Sequence, residues 1–386
     1  MDKFKFLTQK LCDLGDLGLL RQLKCIGSAN GPIIKFDGKG EKVNFCSNNY
    51  LNISGDVRVA SSVNDCISEY GYGACSSRLI SGTMTGHVEV EKAFSNFYGT
   101  ESALLFNSGW SANEALLTTL PSENDLILID KLDHASIVDA VKSSAAAFRT
   151  FRRSNYDRLE KYLADNDYDQ KYIVTESVFS MDGACADLKR LVDLKYKYDA
   201  ILVVDEAHGI GCMGDTGAGL TQQLGLIDDV DIIVAPLGKA FAATGAVIVS
   251  CKAVTDYLIN KARPFIYTTA PSPVNCAAIL AAIEIIRTEH HRRTDLADNA
   301  DYLRRNLKDS GFDTGESQTH IIPVIIGDAK ETVRISAELF DKGFFATAIR
   351  PPTVSKGTSR LRLSVQSEHT KEQLDAFVKT LKHSIR

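Results

Sequence analysis

Two stretches decide the fold: Ala200-Ile-Leu-Val-Val-Asp205-Glu206-Ala207-His208 and Asp231-Ile-Ile-Val-Ala-Pro-Leu-Gly-Lys239. Each is a short apolar run followed by polar or charged residues. Continuous apolar runs separated by helical patterns are typical of strands in a parallel sheet that is covered on both faces. In such sheets ligands bind at the carboxyl ends of the strands. The sequence therefore predicts a carboxylate, an imidazole and a lysine at neighbouring strand ends.

This combination suits pyridoxal phosphate (PLP). A lysine amine forms a Schiff base with the aldehyde of PLP, and a carboxylate keeps its pyridine nitrogen protonated, so that the ring can take up electrons. A third segment, Asn107-Ser-Gly-Trp-Ser-Ala-Asn113, connects a strand pattern to a helical one. The free N–H groups of such a helix start suit a phosphate. The segment is thus a candidate phosphate site, although a plain capped helix would look the same.

The remaining pattern predicts an α/β protein in three parts. Residues 1–48 would form an N-terminal helix (about residues 3–25) and an arm. Residues 49–275 would form a large domain with a mainly parallel central sheet flanked by helices, whose strands begin at Ala103, Leu126, Tyr172, Ile201, Asp231 and Ala246. Residues 276–386 would form a smaller α+β domain. Its predicted elements follow a helix at 274–288 and are strands at 321–326 and 361–365 and a final helix at 371–383.

Composition narrows the class of protein. The chain has 386 residues, of which 44% are hydrophobic and 24% charged, with a net charge of -5. The absence of a long basic run argues against a nucleic-acid or anionic-membrane surface. No apolar stretch reaches the ~18 residues that span a bilayer, and no signal core begins the sequence, so we expect a cytoplasmic enzyme. Nine scattered cysteines without a Cys-x-x-Cys pair indicate neither a metal site nor a disulfide framework.

Two nucleotide-binding interpretations are weaker. The Asp-Glu-Ala-His tetrad also occurs at the Mg²⁺ site of some helicases, but the phosphate-binding loop of such enzymes needs a glycine where Ile233 stands. Gly209-Ile-Gly211-Cys-Met-Gly214 has the spacing of a dinucleotide-binding loop. The tetrad displaces it from the strand end at which that loop works.

A histidine and two arginines are further candidates. His134 follows the strand that begins at Leu126, where an imidazole suits stacking on a planar ring or a purely structural role. Arg360 and Arg362 alternate along a predicted strand and therefore share a face. Arginine binds carboxylates through two parallel hydrogen bonds. We expect this pair to bind a substrate carboxylate or to form solvent-facing ion pairs.

Together, these segments resemble the α-oxoamine synthase family of fold-type I PLP-dependent transferases. The resemblance runs nearly end to end. It is carried by Ser47-Asn-Asn-Tyr-Leu, Ser77-Arg-Leu-Ile-Ser-Gly, Asn107-Ser-Gly-Trp-Ser-Ala-Asn, Asp133-His-Ala-Ser, Glu176-Ser-Val-Phe-Ser-Met-Asp-Gly, Val204-Asp-Glu-Ala-His-Gly, Gly238-Lys-Ala-Phe and Ala348-Ile-Arg-Pro-Pro-Thr-Val. The last segment, with Gly357-Thr-Ser-Arg-Leu-Arg-Leu, is similar to the branch that condenses L-alanine with a pimeloyl thioester in biotin biosynthesis.

The resemblance implies a role for each site residue. Lys239 would hold PLP and act as acid and base. The other cofactor contacts would be Asp205 at the pyridinium nitrogen, His208 at the phenolic oxygen, His134 over the ring face, Ser180 beside it, and the backbone of Gly109 and Trp110. Arg362 would bind the alanine carboxylate, with His134 also near the substrates. The acyl substrate would meet Arg21, Asn48 and Thr353.

The family also implies a homodimer with shared active sites, in which Thr268 and Thr269 reach the partner's phosphate. The acyl group would be carried by coenzyme A or by an acyl carrier protein. Three residues depart from the family pattern: Pro236 replaces a threonine, and Ala242 and Cys75 replace glycines. Two alternatives therefore stay open, a sister enzyme that condenses glycine or serine with another acyl-CoA, and a catalytically degenerate relative.

Overall fold

The computed structural model describes residues 3–16, 19–21, 23–165 and 167–385. Its helices are α1 Lys5–Asp16, α2 Val57–Tyr70, α3 Thr85–Tyr98, α4 Gly109–Thr119, α5 Ala135–Ser143, α6 Tyr156–Leu163, α7 Leu188–Tyr198, α8 Leu220–Gln223, α9 Lys252–Lys261, α10 Arg263–Ile266, α11 Pro273–Thr288, α12 His290–Asp309, α13 Ala329–Asp341 and α14 Lys371–Ser384. Its strands are β1 Ile33–Phe36, β2 Gly40–Asn44, β3 Ser102–Phe106, β4 Leu126–Asp130, β5 Ala147–Phe151, β6 Lys171–Glu176, β7 Ile201–Asp205, β8 Ile232–Pro236, β9 Ala246–Ser250, β10 Ile321–Gly327, β11 Phe344–Phe345, β12 Thr347–Ile349 and β13 Ser359–Ser364. Within those ranges no helix is both long and apolar enough to cross a bilayer.

A seven-stranded sheet lies at the centre of the protein, in the order β3-β9-β8-β7-β6-β4-β5. Its strands are parallel except for β9, which runs antiparallel to both of its neighbours. Alternate residues of each strand point to opposite faces, so that Val203 joins one apolar cluster and Val204 the other. The mainly parallel sheet flanked by helices, predicted from the apolar runs, is confirmed. The edge strand β5 was not predicted.

Two smaller sheets complete the fold. The antiparallel sheet β10-β13-β12 carries Arg360 and Arg362 and packs against α13. The sheet β1-β2-β11 joins the N-terminal arm to the C-terminal part through the parallel pairing of Val43 with Phe344. The predicted helices at 274–288 and 371–383 are present as α11 and α14.

The prediction of an N-terminal helix over residues 3–25 was wrong in its length. α1 ends at Asp16, and residues 23–25 are not helical. Residues 17, 18 and 22 of the predicted segment lie outside the described part of the chain. Gly15 precedes the observed end, and glycine costs about 1 kcal/mol in a helix relative to alanine. No residue of α1 is buried, so tertiary packing does not extend the helix.

Candidate active site

Two adjoining cavities lie where the parallel strands β4, β6, β7 and β8 end. The first has a volume of about 450 Å³ and is lined by Lys239, Asp205, His208, His134, Glu176 and the start of α4. The second, of about 340 Å³, shares Lys239, His208, His134 and Asn48 with the first and adds Ser180 and Arg362. Most of the predicted site residues are therefore brought to one place, because parallel strands present their carboxyl ends at the same edge of the sheet.

Lys239 lies in the turn after β8 and lines both cavities. Burial lowers the pKa of its amine, against the opposing effect of the carboxylates of Asp205 and Glu176. A lysine with a lowered pKa has a larger neutral fraction, and the neutral amine is the form that attacks a carbonyl carbon.

Asp205 is the last residue of β7 and is buried. One carboxylate oxygen accepts a hydrogen bond from the amide of Asn113 at 2.9 Å, and the other accepts from the backbone N–H of Ala207, also at 2.9 Å. The Asn113 amide also donates to the hydroxyl of Ser136. Hydrogen bonds to both oxygens fix the orientation of the carboxylate.

The next residue of the tetrad, Glu206, has a structural role. It is fully buried, and its carboxylate accepts hydrogen bonds from the Ser177 hydroxyl at 2.6 Å and from the backbone N–H groups of Leu220 and Thr221. A Cβ at Gly209 would lie 2.0 Å from this carboxylate. The first glycine of the apparent dinucleotide motif therefore makes room for Glu206.

His208 is buried, and its Nδ1 lies 2.8 Å from the hydroxyl of Tyr50. Burial, reinforced by the positive charges of Lys239 and Arg362, holds the pKa of His208 well below its usual value, so the ring is neutral. The Tyr50 hydroxyl also donates to the side-chain oxygen of Asn48 at 3.0 Å. A chain of polar groups thus holds the His208 ring in place at the junction of the two cavities.

His134 caps the N-terminus of α5. The backbone N–H of Ser136 donates to its Nδ1 at 3.2 Å, which makes Nδ1 an acceptor and leaves the ring proton on Nε2. Burial lowers the pKa of the ring, so this neutral form persists near neutral pH. The Trp110 ring meets the His134 ring edge to face, with centroids 6.4 Å apart. These contacts hold a flat imidazole against the cavity.

The start of α4 is a ready anion site. The Ser108 side chain accepts a hydrogen bond from the N–H of Ser111 at 3.0 Å, whereas nothing in the described chain accepts one from the N–H groups of Gly109 and Trp110. A Cβ at Gly109 would lie 3.0 Å from the ring of Pro236, so glycine permits the close approach of α4 to the end of β8. The helix start predicted at residues 107–113 is therefore present as the start of α4, and its free N–H groups lie at the wall of the first cavity.

Arg362 projects from β13 into the second cavity. Its guanidinium donates to the Ser364 hydroxyl at 2.7 Å and to the backbone carbonyl of Ser180, with Asn48 at 3.4 Å. Arg360 lies on the same face of the strand, as predicted, but does not line either cavity. Arg362 is therefore the cation of this cavity that suits a carboxylate ligand.

Four predicted residues do not line either cavity. Arg21 and Thr353 are exposed and line neither cavity. Asn107 of the same chain donates to the Thr268 hydroxyl at 3.1 Å and to the Thr269 carbonyl at 2.8 Å. Asn107 lines the first cavity, so both threonines contact a residue of its wall in their own chain. Their reach to a partner's site remains a prediction.

Glu176 and Tyr50 are among the residues at the site that had received no role from the sequence. Glu176, the last residue of β6, pairs in register with Asp205 and lines the first cavity. Its position at the end of a predicted strand was the available signal. Tyr50 lies in a loop far from His208 in the sequence, and no local pattern indicates their contact.

At two of the three positions that depart from the family pattern, the structure shows why glycine is the favoured residue. Ala242 has φ +52° and Cys75 has φ +54°, in the left-handed region that favours glycine. The third departure, Pro236, is buried at the end of β8 and packs against Gly109. It contributes neither a hydroxyl nor an N–H to the cavity.

The residues present fit PLP. A partly buried lysine, a carboxylate fixed by two hydrogen bonds and a neutral imidazole surround one cavity, and unused N–H groups at the start of a helix lie on its wall. The lysine amine thus matches the aldehyde of PLP, the carboxylate matches its protonated ring nitrogen, and the N–H groups match its phosphate. The missing Cβ of Gly109 leaves the backbone of α4 open to a ligand.

Comparisons with known proteins agree with this geometry. The sequence pattern of the aminotransferase class I and II family matches residues 40–381. The chain is 39% identical over 378 residues to the 8-amino-7-oxononanoate synthase of Petrotoga mobilis, covering 97% of this chain and 96% of that protein. It is 41% identical over 370 residues to the enzyme of the same name from Chlorobaculum parvum, covering 94% of both.

Solved structures of similar proteins superpose on nearly the whole chain. A serine palmitoyltransferase from S. paucimobilis with PLP and myriocin bound superposes with a TM-score of 0.92 at 29% identity, covering 99% of this chain and 97% of that one. The 8-amino-7-oxononanoate synthase from Francisella tularensis superposes with a TM-score of 0.78 at 29% identity, covering 89% and 98%.

Proposed function

The chain belongs to the aminotransferase class I and II family and, within it, to the α-oxoamine synthases; from that premise we propose that it condenses L-alanine with a pimeloyl thioester. The products are 8-amino-7-oxononanoate, CO₂ and the free thiol of coenzyme A or an acyl carrier protein, in biotin biosynthesis. The observation that carries this proposal is the identity of about 40% over nearly the whole of both chains to several 8-amino-7-oxononanoate synthases.

Lys239 is the residue on which the chemistry depends. When bound, PLP supplies an electron sink that stabilises negative charge on the α-carbon of the amino acid. Lys239 would hold PLP through its amine, and the same amine, when free, would take the proton from the α-carbon of alanine and return one after CO₂ is lost. Its lowered pKa suits both tasks, because an acid–base group works best when its pKa lies near the working pH.

Asp205 and His208 set the electrostatics of the first cavity. The Asp205 carboxylate, fixed by Asn113 and the N–H of Ala207, provides the negative charge that keeps a ring nitrogen protonated. His208 is neutral and held through Tyr50, so its other ring nitrogen can hydrogen-bond a phenolic oxygen without adding a charge. His134 lines the same cavity and presents its flat ring to it.

Arg362 orients the amino acid. Its guanidinium is held by Ser364 and the Ser180 carbonyl, and it lines the cavity next to Lys239. A carboxylate bound there places the α-carbon near the Lys239 amine. Asn48, beside Arg362 and between both cavities, is positioned to contact the acyl substrate.

A homodimer in the cytoplasm is part of the same proposal. Large apolar side chains remain exposed in this chain: Tyr72 is 77% exposed, Ile80 81% and Tyr267 72%. A second copy of the chain that covers them would place Thr268 and Thr269, close to Tyr267, at the interface. The proposed division at residues 48 and 275 is supported by the sheets, since β3 to β9 lie within 49–275.

The test is a product assay. The PLP-loaded protein is incubated with L-alanine and pimeloyl-coenzyme A, and 8-amino-7-oxononanoate is sought by mass spectrometry. Glycine or serine with pimeloyl-coenzyme A, and alanine with acetyl-coenzyme A, serve as parallel reactions. Product from the alanine and pimeloyl pair alone supports the proposal, and product only from another pair overturns the substrate assignment while keeping the family.

The sister reaction is the second candidate. The superposition with serine palmitoyltransferase, at a TM-score of 0.92, favours it at the level of structure. Serine with palmitoyl-coenzyme A therefore belongs in the same assay. Failure of every pair would favour a catalytically degenerate protein.

A further inference from the structure

Glu176 is a buried carboxyl group in the first cavity whose role the mechanism above leaves open. It is 2% exposed, and its Oε1 has no hydrogen-bond partner in the described chain. It ends β6, in register with Asp205 at the end of the adjacent parallel strand β7. Two carboxyl groups therefore lie side by side, and both line the cavity with Lys239.

The surroundings of the two carboxyl groups differ. Both oxygens of Asp205 accept hydrogen bonds, from the Asn113 amide and from the backbone N–H of Ala207. Oε1 of Glu176 accepts none, and the carboxyl group has only the backbone N–H of His134 as a donor; burial with so few donors favours the neutral form. When two neighbouring carboxyl groups compete for one proton, the group with fewer donors keeps it. Burial, with the negative charge of Asp205, indeed raises the pKa of Glu176 well above its usual value.

We propose that Glu176 is a positioning residue of this site: it stays protonated at neutral pH, so that Lys239 faces the charge of Asp205 without a second negative charge at the end of β6. An ionised Glu176 would stabilise the ammonium form of Lys239 and reduce the amine available for chemistry. The inference rests on the proposed function for its purpose, whereas the protonation state is testable without it.

The groups that face Glu176 come from several elements. Asp205 ends β7, Lys239 follows β8, and the backbone N–H of His134 precedes α5. Asp133 accepts a hydrogen bond from the N–H of Glu176 at 3.1 Å, and Asp182, which also raises the pKa of Glu176, is paired with Arg153. Lys239 is the nearby cation that lowers the pKa of Glu176 in return.

Infrared difference spectroscopy of the full-length protein at neutral pH tests the protonation state. The spectrum of wild type minus Glu176→Gln should contain the C=O stretch of a carboxylic acid. The matched control is Glu91→Gln, because Glu91 is paired with Arg78 through two hydrogen bonds and should lose carboxylate bands instead. Loss of carboxylate bands in Glu176→Gln overturns the proposal. If Glu176→Gln does not fold, Glu176→Asp should shift the acid band without removing it.

A second measurement tests the link to Lys239. The absorbance of PLP bound to the holoenzyme is titrated with pH in wild type and in Glu176→Gln. As Glu176 ionises at high pH, it should hold the proton at Lys239, so the wild-type transition should be broader and lie about one pH unit higher. Coincident curves would contradict a coupling to Lys239. Neither measurement requires turnover, so a wrong substrate assignment leaves both outcomes interpretable.

Discussion

Replacing Ala242 with glycine should stabilise the protein, although the change removes a methyl group. Ala242 lies in the turn directly after Lys239, and its N–H donates to the Lys239 carbonyl at 2.9 Å. Its φ of +52° brings Cβ too close to the neighbouring carbonyl oxygen for an L-residue to be relaxed. Glycine adopts this conformation without that contact.

The magnitude follows from three contributions. The left-handed conformation costs an L-residue about 1–2 kcal/mol. The glycine variant loses about 0.4–1 kcal/mol of that gain, because glycine increases the conformational entropy of the unfolded chain. Removing a half-buried methyl group costs a few tenths of a kcal/mol, below the ~0.8 kcal/mol of a fully buried one. The net expectation is a gain of about 0.5 kcal/mol in the free energy of unfolding.

Ala243→Gly is the matched control. Ala243 is also half-buried and packs against the same apolar cluster, but it is not among the residues with positive φ. Its replacement loses the methyl group and gains unfolded-state entropy without relieving strain, so it should destabilise the protein. Urea unfolding measures both variants, and Ala242→Gly should be more stable than Ala243→Gly by about 1–2 kcal/mol. Equal losses in the two variants would refute the argument from backbone strain.

Three further predictions follow from single side chains. Pro236→Thr should place a hydroxyl beside the start of α4 and tighten PLP binding about tenfold or more, since one charge-assisted hydrogen bond contributes about 1.5–3 kcal/mol. The dissociation constant is measured by absorbance titration. An unchanged value would show that another donor compensates. Tyr50→Phe removes the group that holds Nδ1 of His208 and should lower kcat at least several-fold with little loss of fold, as checked by steady-state kinetics and circular dichroism. Burial holds the pKa of His320 at about 3 in the folded protein. In the unfolded chain this histidine takes up a proton below about pH 6.5, so the free energy of unfolding should fall as the pH drops below that value. His320→Phe should therefore lose less stability than wild type between pH 6.5 and 4, and parallel unfolding curves would contradict this.

Much of the fold was predictable because buried parallel strands have a distinctive sequence. β4, β7 and β8 are continuous apolar runs, and their burial on both faces is what such runs require. β5, Ala-Phe-Arg-Thr-Phe, was missed because it is an edge strand with a half-exposed, polar middle. α12 was missed because its long polar face weakens the apolar periodicity.

Some site residues could be predicted from the sheet topology, and others could not. His134, Asp205 and Lys239 follow parallel strands, so topology alone brings them together. The contact of Tyr50 with His208 joins two segments distant in the sequence, and only the folded chain reveals it. The resemblance to the family supplied Arg21 and Thr353, which lie away from both cavities in this single chain. Their contacts with substrate remain predictions.

The central claim is that Lys239 holds the cofactor. Treatment of the PLP-loaded protein with sodium borohydride fixes PLP on the amine that carries it, and peptide mapping by mass spectrometry then identifies the residue, with Lys239→Ala as control. We predict that the pyridoxyl group is found on Lys239 and is absent from the variant. Modification of another lysine, or equal modification of the variant, would contradict the account.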